Sequence, residues 1–319
     1  MFWVKKILAT LYYSNGFWSA ILHPLRKINQ QLEFYFLSDK AFYDRLHFQA
    51  LGTRINWKNP TMWSEKIHWL KLYDRSPLKV TCADKVNVRR FVSDKIGEEY
   101  LIPNYLHTSD INEIKKENFP DCPVIVKINH DSFGGVVIRD KNQVEWNKLR
   151  SNLKNRLSKT YYNGSREWQY KKIEHQILVE KLLLDENNAI PNDMKFYCFN
   201  GVVRLIHVDV GRDSNHTRSF FDRDWNYINV TYVKPKGAKL PRPKQLDRMI
   251  SISEKLSTDF IFVRVDLYNV IDKIYFGELT FTPTSGLAKW KPEEYDRKIA
   301  EMIQLPTRSG SQLNASFFL

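Results

Sequence analysis

The stretch that decides the fold is VRVDLYNVIDKIYFGELT, residues Val263–Thr280. β-Branched and aromatic residues alternate on both sides of a polar break, which is the pattern of a β-hairpin. Yet each arm carries a carboxylate, Asp266 and Glu278, where a half-buried strand ordinarily avoids one. Taking Ile271-Asp272-Lys273 as the loop sets Val270 opposite Ile274, Asp266 opposite Glu278 and Arg264 opposite Thr280. Side chains repeat on one face every second residue, so both acids, Arg264 and Thr280 then share a face. Two carboxylates directly opposite, about 5 Å apart, repel unless something positive offsets them. Two readings stand. A divalent cation such as Mg²⁺ takes few carboxylates together with phosphate oxygens, and Arg264 then meets the phosphate. Alternatively the hairpin lies at the surface with its acids in water, since a one-residue slip changes the face.

Outward from the hairpin, PVIVKINH reads as a strand and HDSFGGVVIRD as a turn into a second one. Lys127 in the middle of the first is costly unless its amine reaches solvent or an anion. The turn after it carries Ser132, Gly134 and Gly135, whose backbone N–H groups can approach a phosphate closely, although most such turns only join strands. Asp131 adds a negative charge there. KFYCFNGVVRLIHVDV, from Lys195, is a hairpin turning at Asn200-Gly201, and QILVE is a strand ending at Glu180-Lys181. Helices are predicted from an Asn59 cap, over Thr81–Ile96 with Gly97 as the stop, over Glu145–Tyr161, over Gln245–Leu256 and from about Pro292 to Ile303. Lys85, Arg89 and Arg90 stripe the second of these, as a solvated face or an anion site. Antiparallel pairs with helices between them predict an α+β fold rather than a doubly wound parallel sheet.

The 319 residues suffice for a full core and more than one domain. Apolar residues make up 43% and charged residues 27%, a soluble composition. The net charge of +13 favours an anionic partner. Three scattered cysteines, Cys82, Cys122 and Cys198, match no metal spacing and read as reduced thiols of a cytosolic protein. No HExxH pattern occurs, which argues against a zinc enzyme. The N-terminal MFWVKKILATLYYSNGFWSAILHPLRKI is too interrupted to span a membrane and lacks a small-residue cleavage site. It reads either as an ordinary helix or as a segment lying on the membrane face, with Trp3, Phe17 and Trp18 at the interface and Lys5, Lys6, Arg26 and Lys27 near headgroups.

The order of these parts resembles the ATP-grasp superfamily, and the wording is similar to its TupA-like family, named for teichuronopeptide biosynthesis and often labelled glycosyltransferase. The matching segments are NPTMWSEKIHWLKLYDRSP, ADKVNVRRFVSDKIGEEYLIP, VIVKINHDSFGG, EWQYKKI, DMKFYCFNG and VRVDLYNVIDKIYFGELTFTPTSG, spanning about Leu51 to Leu305. The residues before Leu51 match poorly and are read as part of an N-terminal helical segment over 1–58; the resemblance implies a helical region over 59–105 and an ATP-grasp domain over 106–305 whose subdomains, about 106–180 and 181–305, clasp ATP, followed by a tail over 306–319.

By position the resemblance puts Lys85 and Lys127 on the phosphates, the turn from His130 to Gly135 as a lid, and Glu180, Lys181 and Leu183 at adenine. It puts Asp193 and Lys195 near ribose and phosphate, and Asp266, Glu278 and Thr280 on Mg²⁺. Arg264 and Lys127 would act on the transferred phosphate. Thr280 stands where the superfamily usually has Asn, and DSFGG replaces the commoner GSGG. The implied activity is a carboxylate–amine ligase working through an acyl phosphate. Its substrates would be an amino acid and an acidic sugar or glycan of a bacterial surface polysaccharide, with no nucleic acid involved. The location would be cytoplasmic, at the inner membrane face if the N-terminus binds there. Arg212 and Arg218, flanking a polar loop, and Ser285 and Gly286, following the hairpin, are the candidates for substrate contact. The rival reading, a nucleotide-sugar transferase, has one literal DxD, Asp222-Arg223-Asp224. A third is a non-catalytic scaffold at the membrane surface.

Overall fold

The computed structural model describes residues 36–132, 134–211 and 215–306. The N-terminal membrane-face segment, Arg212 and all but the first residue of the tail therefore lie outside the described residues. Among the described residues four helices lead in: α1 (Asp39–Leu51), α2 (Trp63–Tyr73), α3 (Pro77–Ala83) and α4 (Val88–Ile96). Helix α2 does not start at the Asn59 cap. Its signal is Glu65, whose carboxylate accepts from the N–H groups of Thr61 and Met62 and fixes the entry turn. The single helix expected over Thr81–Ile96 is broken, because Asp84 accepts from Val86 N and from the side chains of Asn87 and Asn129. A carboxylate that bonds the backbone locally competes with the helix, and the break it makes turns Lys85 out of helical register. Gly97, at φ 110°, ends α4 as expected.

Next come β1 (Asn104–Thr108), β2 (Val124–Ile128), β3 (Val136–Ile138), α5 (Trp146–Leu157), the single turn α6 (Tyr162–Ser165) and β4 (Ile177–Lys181). The four strands pair antiparallel in the order β1-β4-β2-β3. Val124, Val126, Ile128, Ile177 and Val179 form one core with Leu149 and Leu153 of α5. Lys127 alternates to the other face, as period 2 requires.

The second sheet holds β5 (Asp193–Phe199), β6 (Val202–Val210), β7 (Thr217–Asp222) and β8 (Tyr227–Ile228), followed by α7 (Leu246–Ser257), β9 (Phe262–Val270), β10 (Lys273–Thr280) and α8 (Glu293–Glu301). Its order is β10-β9-β5-β6-β7-β8, all antiparallel. The β5–β6 turn falls at Asn200-Gly201, both at positive φ (49° and 83°), as the two-residue hairpin demands. One face meets α7 through Phe196, Val265, Leu267, Met249 and Leu256. The other meets α2 through an aromatic cluster of Trp63, Tyr197, Phe262 and Trp290. Both faces are thus covered, and β5 is buried at every position. Among the described residues no helix is long and apolar enough to cross a membrane. The thiols of Cys82, Cys122 and Cys198 are free.

Candidate active site

The hairpin positions the chemistry. Its turn is shorter than expected: Val270 faces Lys273, not Ile274, around Ile271-Asp272, both left-handed at φ 46° and 59°. An unbroken register from that turn would set Asp266 against Gly277. A bulge at Gly277 absorbs one residue and restores the pairing of Asp266 with Glu278 and of Arg264 with Thr280. A Cβ there would stand 3.1 Å from both the Asp266 carbonyl oxygen and the Tyr268 ring, a tight approach that glycine avoids.

Arg264 offsets the facing acids. Its Nε and Nη2 donate to the two Asp266 oxygens at 2.6 Å each, and Nη2 also reaches Glu278 Oε1 at 2.9 Å. Lys195 Nζ donates to both Asp193 and Asp266. Thr280 Oγ1 donates to Glu278 Oε1 at 3.0 Å. Asp266 is 2% exposed, whereas the Glu278 side chain is 40% exposed. Burial, reinforced by Asp193 and Glu278 and opposed by Arg264 and Lys195, pushes Asp266 up to about 6. Burial also works to raise Glu278, but Arg264, Lys195 and Lys85 together outweigh it and hold this carboxyl at about 2. Among the described residues, Asp193, Asp266 and Glu278 share the cations Lys195 and Arg264, and the most open of the three carboxylates faces a cavity. Glu278 and the Thr280 hydroxyl are the oxygens that this set presents to the cavity, the donor type a hard divalent cation takes.

The cavity, of about 990 Å³, lies between the β9–β10 hairpin and the turn after β2, with the segment from Arg156 to Tyr170 on its wall. Lys85, Ser132, Arg264, Glu278, Thr280 and Ser285, all singled out in the sequence, line it. Lys85 donates to the Asp131 carbonyl at 2.5 Å. Burial, helped by Lys127 and countered by Glu278, Asp131 and Glu180, lowers its pKa. Lys127 sits beside the cavity rather than on its wall: Nζ donates to Glu180 Oε2 at 2.8 Å, and Arg89 reaches Oε1 at 3.2 Å. Lys195 and Asp193 lie beneath the hairpin, both buried.

Other candidates fall elsewhere. Lys181 is exposed at the end of β4, and Leu183 packs with Ile102 and Val270; neither lines the cavity. Gly286, at φ 73°, lies against Ile67 rather than in the cavity. Arg218 is corrected most clearly. Its fork grips buried Asp209 (2.7 and 3.2 Å) and its remaining nitrogen meets the Tyr232 carbonyl, so it stiffens the sheet instead of facing a substrate. The DxD match is consumed in a turn, where Asp222 accepts from the N–H groups of Asp224 and Asn226.

Several side chains on the cavity carried no assigned role, Arg156, Tyr161 and Glu167 among them. Arg156 forks onto Asp131 at 2.8–3.0 Å and donates to the Gly134 carbonyl at 2.7 Å, cancelling the charge that Asp131 brings to the turn. Ser132 donates to Tyr161. Glu167, within the quoted EWQYKKI, is buried on the wall.

A family model described as TupA-like ATPgrasp matches residues 65–304. The chain belongs to the TupA-like ATP-grasp family. The α+β architecture of two antiparallel sheets with preceding helices is the ATP-grasp fold of that family. No curated protein matches the chain in sequence. Among solved structures, D-alanine–D-alanine ligase from Bacillus anthracis is 18% identical, covering 63% of this chain and 57% of its own, with a TM-score of 0.36. The same ligase complexed with ATP is 15% identical, covering 70% and 63%, with a TM-score of 0.39. The ATP-grasp ligase PsnB, complexed with a phosphomimetic variant of its minimal precursor, Mg and ADP, is 11% identical, covering 75% and 64%, at 0.39. This TupA-like chain therefore spans less than two thirds of the length of those ligases.

Proposed function

We propose that this protein is an ATP-dependent carboxylate–amine ligase that forms a C–N bond through an acyl phosphate. The observation that carries the reading is the facing pair Asp266 and Glu278, bridged by Arg264, with Glu278 lining the same cavity as Lys85 in a chain of the TupA-like ATP-grasp family. ATP and a carboxylate are both anions, so the site must first remove their repulsion. Asp266 and Glu278, with the Thr280 hydroxyl, would hold Mg²⁺, which when bound supplies Lewis-acid charge to the phosphates. Lys85 and Lys127 would neutralise the phosphate chain, and the backbone N–H groups at Ser132, Gly134 and Gly135 would close over it. Glu180 would border the adenine, and Asp193 with Lys195 would support the ribose end. Arg264 would steady the transferring phosphoryl group in line with the attacking carboxylate. No protein nucleophile is required, because positioning alone makes the carboxylate attack effective.

For substrates we propose an amino acid and a sugar acid of a bacterial surface polysaccharide, handled on the cytoplasmic face of the membrane. The net charge of +13 supports an acidic glycan or its precursor. Ser285 faces the cavity and supports a substrate role for the loop after the hairpin. The test is release of ADP and phosphate across amino acids paired with D-glucuronate or D-galacturonate, together with thermal unfolding in MgATP and in a UDP-sugar. The expected outcome is stabilisation by MgATP that Asp266→Asn abolishes, with turnover at least 100-fold lower in that variant. Stabilisation by the UDP-sugar alone would overturn the reading in favour of a transferase.

A further inference from the structure

One buried carboxylate on the cavity wall has no part in the phosphate end. Glu167 is 4% exposed and lines the cavity two residues beyond α6. Both of its oxygens are held by hydroxyls: Ser165 Oγ donates to Oε2 at 2.6 Å, and Thr282 Oγ1 donates to Oε1. Thr282 is fixed in turn by Gln169 Nε2, which donates to its hydroxyl at 3.0 Å. Among the described residues no cation bonds Glu167. Lys71, buried behind the same loop, shares its field but donates to Ser165 O at 3.0 Å and to Ser285 Oγ at 2.8 Å. A carboxylate buried on neutral donors, with one side open to a cavity, is costly unless it meets a cation there. Tyr161 and Tyr170, both raised by burial, lie within the field of Glu167 and of Glu278, so the two acids belong to one wall.

We propose that Glu167 binds the ammonium group of the amine substrate and takes its proton, an inference that rests on the ligase reading above. The ammonium gives one proton to the Glu167 carboxylate. The freed nitrogen lone pair forms the C–N bond at the acyl phosphate carbonyl carbon. The C–O bond to phosphate breaks, and phosphate leaves with that electron pair. The second N–H proton passes to the departing phosphate, and Glu167 returns its proton to solvent. The two hydroxyls fix the carboxylate's orientation without neutralising it, which leaves its charge for the incoming cation.

The test is saturation-transfer NMR on the full chain with glycinamide, an ammonium without a carboxylate, and with its neutral isostere glycolamide. Glycinamide is expected to give a signal on the wild-type protein that falls at least fivefold in Glu167→Gln and is partly retained in Glu167→Asp, while glycolamide gives none. Equal glycinamide signals in wild type and Glu167→Gln, or no signal in wild type, would overturn the inference. Should Glu167→Gln not fold, the wild-type protein decides alone: glycinamide without glycolamide supports the site, and equal signals defeat it. Thermal stabilisation by MgADP is measured in parallel and should be the same in wild type and Glu167→Gln. Its loss in the variant alone would make Glu167 a structural group and overturn the inference. Its absence in both would defeat the ligase reading, with the ammonium result still readable by itself.

Discussion

The two sheets carry their charges under different conditions. On the four-stranded sheet, Lys127, Glu180 and Arg89 form a chain whose side chains keep 19%, 9% and 21% of their surface in water. On the six-stranded sheet, Lys195, Asp193 and Asp266 keep 6% or less, because helices and aromatic residues cover both faces. Solvent can re-screen the first group when one member is lost. The second is shut off from water on both sides, so each charge there is bound to the fold as well as to the site.

This contrast sets the order of expected effects. Lys195→Met should cost the most, about 3–5 kcal/mol of unfolding free energy, because it removes the cation that buried Asp193 and Asp266 share. Urea denaturation measures it, and a loss below about 1 kcal/mol would erase the distinction between the sheets.

Acidification comes next. His207 of β6 and His68 of α2, both 0% exposed, are held well below the ordinary imidazole value. Burial leads in each case, with Lys71 and His47 adding to it at His68 and Arg218 at His207, where Asp209 opposes. The unfolded chain takes up protons that these folded histidines refuse, so their contribution is full above about pH 6.5 and is lost as pH falls. Between pH 6.5 and 5.5 the two together should remove about 2 kcal/mol. Denaturation midpoints that do not move across this window would contradict their neutral burial.

Gly277→Ala tests the bulge. A Cβ 3.1 Å from a backbone oxygen forces the strand to shift, and about 1–2 kcal/mol should be lost together with MgATP stabilisation, since the facing of Asp266 and Glu278 depends on that residue. Retention of both stability and nucleotide response would show the bulge to be dispensable. Lys127→Met should be mildest for the fold, at about 1 kcal/mol or less, because Arg89 still meets Glu180. Its effect should appear instead as an ATP affinity about tenfold weaker by calorimetry, close to one charged contact. A destabilisation matching that of Lys195→Met would make the two sheets equivalent.

Much of the hairpin was legible because alternation and paired acids are local signals. The facing of Asp266 and Glu278 was read correctly through a loop that was misread, since the shorter turn and the Gly277 bulge cancel. Lys85 was legible as a residue, but the helix break that presents it was not, because it needs the Asp84 carboxylate and Asn129, 45 residues away. Arg156 looked like one more base on a polar helix until Asp131, 25 residues earlier, closed on it. Glu167 stood in a quoted motif without a role, because its hydroxyl partner Thr282 lies 115 residues on. Arg218 looked free in a polar loop, and only the β6–β7 pairing that sets it opposite Asp209 shows otherwise.

By itself the sequence determined the strands β2 to β6, β9 and β10, the two-residue turn at Asn200-Gly201 and the residue types of the charge cluster, because periodicity and turn chemistry act over a few positions. Tertiary structure alone decided which charges are buried together, which cation offsets which acid, and that Glu167 opens onto the same cavity as Glu278. Burial and Coulomb interactions depend on distance in space, and neighbours in space here come from segments more than 100 residues apart.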